Sequence, residues 1–147
     1  MSKAVFREHF EQIWNKKDAS AIGRFIAPNY RGFESAELIS GIEGYKQHFR
    51  TITAGFPDLR LTIEVILDEA IQEGEARVAA RWFMQATNTG KFGDIPPTGR
   101  RVRMTGIAIV RISDGLIVEE HANSDALGLL KQMGAIPGPV TVPPLFF

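Results

Sequence analysis

Residues 106–134, GIAIVRISDGLIVEEHANSDALGLLKQMG, decide the fold of this chain. Two apolar runs, 107–112 and 116–118, flank the sequence Ser113-Asp114-Gly115. A glycine-containing turn between two β-rich segments is typical of a β-hairpin. The pattern therefore predicts two antiparallel strands, followed by a short amphipathic helix that Gly134 ends.

The second strand of this hairpin carries most of the polar residues of the stretch. Side chains alternate along a regular strand, so Glu119, His121, Asn123 and Asp125 are predicted to share one face. We expect that face to deliver His121, Asn123 and Asp125 to the junction between strand and helix. Three polar groups that converge beside an apolar helix suggest a site.

The rest of the chain places helices before strands. Apolar spacing predicts three N-terminal helices, at 3–15, after Asp18 up to Pro28, and at 41–54. Residues 29–34 are predicted as a short strand or an extended loop. Alternation predicts long strands at 59–68 and 76–88, and the glycine- and proline-rich residues 89–101 are predicted to be a loop at a pocket rim. This order predicts an α+β domain in which a curved antiparallel or mixed sheet, covered by the three N-terminal helices, surrounds a conical pocket.

Length and composition limit the possible functions. The 147 residues fit a single domain, with a core at 1–134 and a proline-rich extended tail at 135–147. The 17 basic and 17 acidic residues cancel, which argues against nucleic-acid or membrane partners. No cysteine and no long apolar segment is present, so we expect a cytoplasmic protein whose partner is a hydrophobic small molecule.

Five phrases in register carry a family resemblance: GFPDLRL, VAARWFMQATNTGKF, IPPTGRRV, GIAIVRISDGLIVEEH and DALGLLKQMG. They resemble the SnoaL-like polyketide cyclases of the nuclear-transport-factor-2-like superfamily, over roughly residues 10–134. The resemblance implies an α+β cone, a homodimer or homotetramer formed through the sheets, and no metal or organic cofactor. It also implies that Asp125, which matches the family's Asp at the start of the last helix, is the acid/base of an intramolecular aldol closure.

Three positions depart from the family pattern. Phe33 stands where the family often has His, and residues 86–90, ATNTG, replace a phrase resembling GTHTG. His121 stands where the family usually has Trp. These changes predict a rearranged set of polar groups in the pocket.

Asp125 and His121 are the candidate catalytic residues. An aspartate inside an apolar cone would have a raised pKa suited to moving a proton next to a carbonyl, whereas at a helix start it can equally be a cap. His121 could orient Asp125, relay its proton or polarise a substrate oxygen, or it could be structural.

Further candidates concern substrate binding. Asn123 and Asn88 could donate to an enolate oxygen, although either could be a turn residue. Six large side chains are expected to line the cone, with plain core packing as the alternative: Trp14, Tyr30, Phe33, Phe49, Trp82 and Met84. The three histidines lack metal-ligand spacing, and no glycine-rich loop lies between a strand and a helix, so neither a metal nor a nucleotide is expected.

These features favour a cofactor-free acid/base enzyme that promotes aldol cyclisation or isomerisation of a hydrophobic, polyketide-like carbonyl substrate. Two alternatives remain open at this point. One is hydration of an epoxide in the same cone, which would use paired carboxylates. The other is a binding or assembly module without turnover.

Overall fold

The fold is α+β, as predicted, in a computed structural model that describes residues 1–136 and residue 144. Four helices and six strands are present among these residues: α1 Ser2–His9, α2 Ile22–Phe25, β1 Ile26–Glu34, β2 Glu37–Ser40, α3 Gly41–Gly55, β3 Arg60–Gln72, β4 Glu75–Thr87, β5 Arg101–Ser113, β6 Leu116–Ser124 and α4 Ala126–Met133. The predicted tail 135–147 lies outside the described residues, except for 135, 136 and 144.

The six strands form one mixed sheet in the order β2-β1-β6-β5-β4-β3. Only β1 and β6 run parallel, and every other neighbouring pair is antiparallel. The helices of the N-terminal half cover one face of this sheet, and the apolar core lies between the two layers. No helix among the described residues is long and apolar enough to span a membrane.

The N-terminal helices differ in detail from the prediction. Helix α1 continues as a π-helical segment, Phe10–Asn15, so the predicted helix 3–15 changes its winding at its middle. Asp18 caps the next turn by accepting from the Ser20 amide at 3.0 Å, as predicted. The prediction that Pro28 ends the second helix is wrong: α2 stops at Phe25, and Pro28 lies inside β1.

The predicted hairpin between β5 and β6 is confirmed. Asp114 and Gly115 have φ angles of 49° and 80°, the left-handed values that a two-residue type I′ turn requires at both positions. A glycine at the second position adopts this angle without strain. The first strand is longer than expected, since β5 begins at Arg101.

A β-bulge at Val118 determines which face of β6 points inward. Ile112 pairs with Ile117 and Arg111 pairs with Glu119, so Val118 is an extra residue without a partner on β5. Such a residue reverses the alternation of all side chains beyond it. Before the bulge Ile117 faces the core, and after it Glu120, Ala122 and Ser124 do.

A second bulge has the same effect on β3. Ile63 pairs with Trp82 and Val65 pairs with Arg81, which leaves Glu64 as the extra residue. The alternation of apolar residues along 59–68 would place Leu61, Ile63, Val65 and Leu67 on one face of a regular strand. The structure corrects this: Leu61 and Ile63 face inward, whereas Val65 and Leu67 are exposed on the opposite face.

The inner face of the sheet depends on one close contact between neighbouring strands. Gly106 on β5 pairs with Trp82 on β4, and a Cβ atom at position 106 would clash with the indole ring of Trp82. Trp82 is buried and forms part of the core. The absence of a side chain at Gly106 therefore sets the position of a large aromatic ring on the inner face.

The change Gly106→Ala is expected to lower the free energy of unfolding by about 1–3 kcal/mol, because the added methyl group overpacks the Trp82 ring. Chemical denaturation, followed by tryptophan fluorescence, measures this difference. Gly23→Ala is the matched control, since no atom lies within 4 Å of a Cβ built there. In that helical position alanine should be neutral or stabilising by about 0.5–1 kcal/mol. Equal stability of the Gly106→Ala variant and the wild type would contradict the packing argument.

Candidate active site

A cavity of about 390 Å³ opens between the inner face of the sheet and the helical layer. Most of its wall is aromatic or aliphatic, which suits a hydrophobic small molecule. Polar side chains also border the cavity, and their arrangement gives the site its chemistry: His9, Tyr30, Glu34, Tyr45, His48, Thr51, Glu120 and Ser124.

Glu120 lies on the inner face of β6, two residues beyond the bulge. Its Oε1 atom accepts a hydrogen bond of 2.7 Å from the Tyr30 hydroxyl. Gly32 pairs with Glu120 across β1 and β6, and a Cβ atom at Gly32 would clash with the Tyr30 hydroxyl. The glycine thus leaves the space through which the phenol reaches the carboxylate.

The surroundings of Glu120 adjust its proton affinity. Burial in the apolar wall raises the pKa of the Glu120 carboxyl to about 6, the hydrogen bond from Tyr30 lowers it, and the nearby charge of Glu34 raises it. A carboxyl group with this pKa exchanges its proton near neutral pH. General acid/base catalysis needs such a group.

Two phenol groups lie beside Glu120, that of Tyr30 on β1 and that of Tyr45 on α3. Tyr45 packs edge-on against Tyr30 with ring centroids 5.4 Å apart, and its hydroxyl accepts a 2.9 Å hydrogen bond from Trp14 Nε1. Burial raises the pKa of both Tyr30 and Tyr45 above the ordinary value, so both remain protonated. The Tyr45 hydroxyl has no acceptor among the described residues, so its proton is available to a bound molecule.

His9 is placed on the opposite wall, where α1 changes into the π-helical segment. It is 1% exposed, and its Nδ1 lies 2.7 Å from the Phe6 carbonyl oxygen. A carbonyl only accepts, so Nδ1 carries the proton and Nε2 keeps its lone pair. Burial lowers the pKa of His9 to about 4, which keeps the ring neutral near pH 7.

A second carboxylate, Glu34, also borders the cavity. The Ser124 hydroxyl donates to Glu34 Oε1 at 2.6 Å and holds it at the end of β1. Glu34 pairs with Ala122, so Glu34 and Glu120 are near neighbours on the same inner face. The cavity therefore contains two carboxylates.

Asp125 lies elsewhere. The expectation that its carboxyl lies inside the cone is wrong: Asp125 is exposed, does not border the cavity, and caps α4 by accepting from the Gly128 amide at 3.0 Å. This is the capping alternative that its sequence position allowed. A catalytic role for Asp125 stays a prediction that has no pocket geometry to support it.

His121 and Asn123 are exposed on the outer face of the sheet and do not border the cavity either. The His121 Nε2 atom lies 3.1 Å from Glu119 Oε1, and the imidazole stacks on Phe33 with ring centroids 4.9 Å apart. Glu119, His121 and Asn123 share one face, as predicted, but the bulge at Val118 turns that face to the outside of the sheet. The structure therefore does not bring His121 into a site with Asp125.

Asn88 and Phe49 are also absent from the cavity wall. Asn88 is fully buried, donates to the carbonyls of Gly55 and Gly90, and accepts from the Thr98 amide and hydroxyl at 2.8 Å. It anchors the loop, as its turn alternative predicted. Phe49 is buried and packs on Trp14, with ring centroids 5.3 Å apart.

The remaining predicted lining residues do border the cavity: Trp14, Tyr30, Phe33, Trp82 and Met84. Sequence reasoning missed Glu120, Glu34 and His9. The orientation of Glu120 depends on the bulge in β6, and Glu34 lies at the end of β1, which pairs with the short strand β2. The sequence pattern predicted neither the bulge nor β2. The signal for His9 was available, because it follows Phe6 by three residues and precedes Ile13 by four on the apolar face of the first helix.

No group of three or more His, Cys, Asp or Glu side chains among the described residues could hold a metal ion. The described cavity wall instead combines hydrocarbon surface with a carboxyl of raised pKa, neutral phenols and a neutral imidazole. Groups of these kinds can bind and orient a ligand and can transfer protons.

The family model described as SnoaL-like polyketide cyclase matches residues 4–133. The chain belongs to the SnoaL-like polyketide cyclase family. Its curved mixed sheet with covering helices is the nuclear-transport-factor-2-like cone of this family. A search of curated proteins gave no match.

Three solved structures of similar proteins come from Streptomyces species. TsrD from Streptomyces laurentii is 30% identical, with a TM-score of 0.76 over 92% of this chain and 96% of that one. IdmH from Streptomyces antibioticus, a proposed polyketide cyclase, is 28% identical, with a TM-score of 0.74 over 90% and 97% of the two chains. AclR from Streptomyces galilaeus, a proposed hydroxylase, is 28% identical, with a TM-score of 0.78 over 94% and 83%.

The change Tyr30→Phe is expected to raise the pKa of Glu120 above its value of about 6, because the ionised carboxylate loses a hydrogen-bond donor. Titration of carboxyl carbon shifts by ¹³C NMR measures this directly. Tyr45→Phe is the control, since Tyr45 makes no hydrogen bond to Glu120. An unchanged or lowered pKa in Tyr30→Phe would show that the phenol does not stabilise the carboxylate.

Proposed function

We propose that this protein is an acid/base enzyme of the SnoaL-like type that acts on a hydrophobic, polyketide-like carbonyl compound, with Glu120 as the proton-transfer group. The observation that carries this proposal is the hydrogen-bonded Glu120 carboxyl, with its raised pKa, in the wall of an apolar cavity. Family membership and the similarity to IdmH support the substrate class.

The reaction starts from ionised Glu120. Its carboxylate removes a proton from the carbon next to a substrate carbonyl, which produces an enolate. The enolate carbon attacks a second carbonyl of the same molecule, and a carbon–carbon bond forms. The new alkoxide then takes the proton back from Glu120, so the enzyme returns to its starting state.

Tyr45 is the donor that stabilises the enolate. Its hydroxyl accepts the bond from Trp14, remains protonated, and donates to no acceptor among the described residues, and Tyr45 borders the same cavity as Glu120. A fixed donor in a water-poor site stabilises developing negative charge strongly, because little reorganisation is needed. Every step moves a proton or forms a carbon–carbon bond, so the proposed reaction needs neither a metal nor an organic cofactor.

The pH dependence follows from the role of Glu120 as a base. The base must be ionised, and its pKa is about 6, so the rate should rise as the pH increases through 6. His9, with a pKa of about 4, stays neutral across this range.

A second candidate reaction is supported by the pair Glu34 and Glu120. In epoxide hydration, Glu34, which Ser124 holds, would take a proton from water, and the protonated form of Glu120 would give one to the oxygen of the opening ring. Oxygen from the solvent enters the product only in this reaction. We rank it second because the hydrogen bond that Tyr30 donates to Glu120 favours the ionised base.

The change Glu120→Gln tests the main proposal. In D₂O, the wild type should accelerate α-proton exchange of 2-tetralone, an apolar bicyclic ketone, and proton NMR measures the rate. Loss of the base should reduce the catalysed rate by about 100-fold or more, because general-base catalysis contributes this much.

Asp125→Ser is the matched control for that experiment, because serine can still cap α4 and Asp125 does not border the cavity. Its exchange rate should equal that of the wild type. Full activity of Glu120→Gln would overturn the assignment of Glu120 as the base. Loss of activity in a folded Asp125→Ser variant would also overturn it and would favour Asp125, the acid that the sequence suggested.

We also propose that two copies of the chain form a homodimer through the outer face of the sheet. Two cross-strand rows on this face carry exposed apolar side chains: Val65 and Ile107 lie in one row, and Leu67 and Ile109 in the other, with exposed fractions of 43–64%. Arg81 lies between Val65 and Ile107 in the first row and forms an ion pair with Glu64 at 3.0 Å. An exposed patch that combines apolar side chains with paired charges is suited to a subunit interface.

A charge in the centre of this patch should dissociate the dimer. Ile109→Glu is expected to shift sedimentation equilibrium from dimer to monomer, because an unpaired carboxylate would be buried in the interface. Leu127→Glu places the same charge on an exposed apolar residue of α4 and should leave the dimer intact. A monomeric wild type would refute the proposal.

A further inference from the structure

The hydrogen-bonding groups of the cavity are unequally divided between donors and acceptors. The Tyr30 hydroxyl donates to Glu120, and the Ser124 hydroxyl donates to Glu34. The Thr51 hydroxyl donates to the Gln47 carbonyl at 3.1 Å. These three donors are therefore used within the protein.

The Tyr45 hydroxyl keeps its proton, and the His48 imidazole also borders the cavity. Acceptors without a partner among the described residues outnumber these two groups, and they face the space that a ligand would fill.

The helical wall supplies one such acceptor. His9 Nδ1 donates to the Phe6 carbonyl, so Nε2 has a free lone pair, and His9 makes no other hydrogen bond among the described residues. No side-chain nitrogen or oxygen that is sealed from solvent lacks a partner in this part of the chain. Nε2 is thus reached from the cavity that His9 borders.

The sheet wall supplies the other acceptors. The bonds from Tyr30 and Ser124 each occupy the Oε1 atom of a glutamate, so Oε2 of Glu120 and Oε2 of Glu34 keep their lone pairs. These carboxylates lie across the cavity from the helical layer that carries His9. A ligand between the layers meets acceptors on both sides.

Neither Lys nor Arg borders the cavity among the described residues, so no such cation balances the two carboxylates there. Burial lowers the pKa of the two histidines in the wall, His9 and His48. Residues 137–147, PGPVTVPPLFF, contain no Lys, Arg or His at all. A ligand carboxylate placed near Glu34 and Glu120 would meet like charge without a compensating partner, which disfavours its binding.

We propose that the cavity selects an uncharged, largely apolar ligand with at least two hydroxyl groups, one donating to His9 Nε2 and one to Glu34 or Glu120, and excludes ligands that carry a carboxylate. An uncharged hydroxyl is favoured over an ammonium group because most of the wall is hydrocarbon, and burying a full charge there costs more than burying a hydroxyl. The inference deepens the proposed function and rests on the same cavity. The carbonyl substrate would then be a phenol or enol without a free acid group.

Calorimetric titration of the full chain at pH 7.5 with matched naphthalene probes tests this selectivity. We expect 2,7-dihydroxynaphthalene to bind at least tenfold more tightly than 2,7-dimethoxynaphthalene, which has the same ring but no donor. We expect no binding of 2-naphthoate. Equal affinity of the dihydroxy and dimethoxy probes, binding of 2-naphthoate to the wild type, or tighter binding of 2-naphthylmethylamine than of the diol would each overturn the proposal.

Two variants locate the contacts. His9→Phe should weaken binding of the dihydroxy probe at least fivefold and leave the dimethoxy probe unchanged, because only the acceptor is lost. The double variant Glu34→Gln and Glu120→Gln should gain measurable affinity for 2-naphthoate, because both negative charges are removed. Failure of either result in a folded variant contradicts the assigned contacts.

The outcome is independent of the catalytic test, because binding is measured without turnover. A protein that prefers the diol but does not accelerate exchange of 2-tetralone refutes the proposed function alone. A protein that accelerates exchange but binds the dihydroxy and dimethoxy probes equally refutes the selectivity alone.

Discussion

The extra residue at Val118 is the constraint on which the site depends. It turns Glu120 to the inside of the sheet, where the carboxyl meets Tyr30, and it turns His121 to the outside, where the ring meets Phe33. A regular strand would exchange these two residues. One unpaired position in the ladder thus decides whether the cavity wall contains a carboxylate or an imidazole.

Features that depend on local sequence could be predicted, and features that depend on strand pairing could not. The turn at Asp114 and Gly115 and the cap at Asp18 follow from conformational preferences of single residues. The bulges at Glu64 and Val118 carry no glycine or proline to mark them. They form because the apolar alternation of two paired strands is out of register by one residue, so one strand needs an extra residue if both are to bury their apolar faces. This condition involves residues that are far apart in the sequence.

The same distinction explains which residues of the site could be predicted from the sequence. Trp82 and Met84 could be predicted as lining residues because β4 alternates regularly along its pairing with β5, and Trp14 because it lies on the apolar face of the first helix. Glu120 could not, since its orientation depends on the bulge, and its pKa depends on Tyr30, which is 90 residues distant in the sequence. The hydrogen bond and burial act on this carboxyl in opposite directions, and burial is the larger effect.

Asn88 ties together three separate backbone segments: the end of α3 at Gly55, the start of the following loop at Gly90, and its far end at Thr98. These hydrogen bonds fix both ends of the loop, and between them Phe92 and Ile95 pack against the core. Phe92 also borders the cavity. A different side chain at position 92 would therefore reshape the cavity wall, while the Glu120 carboxyl on β6 stays in place.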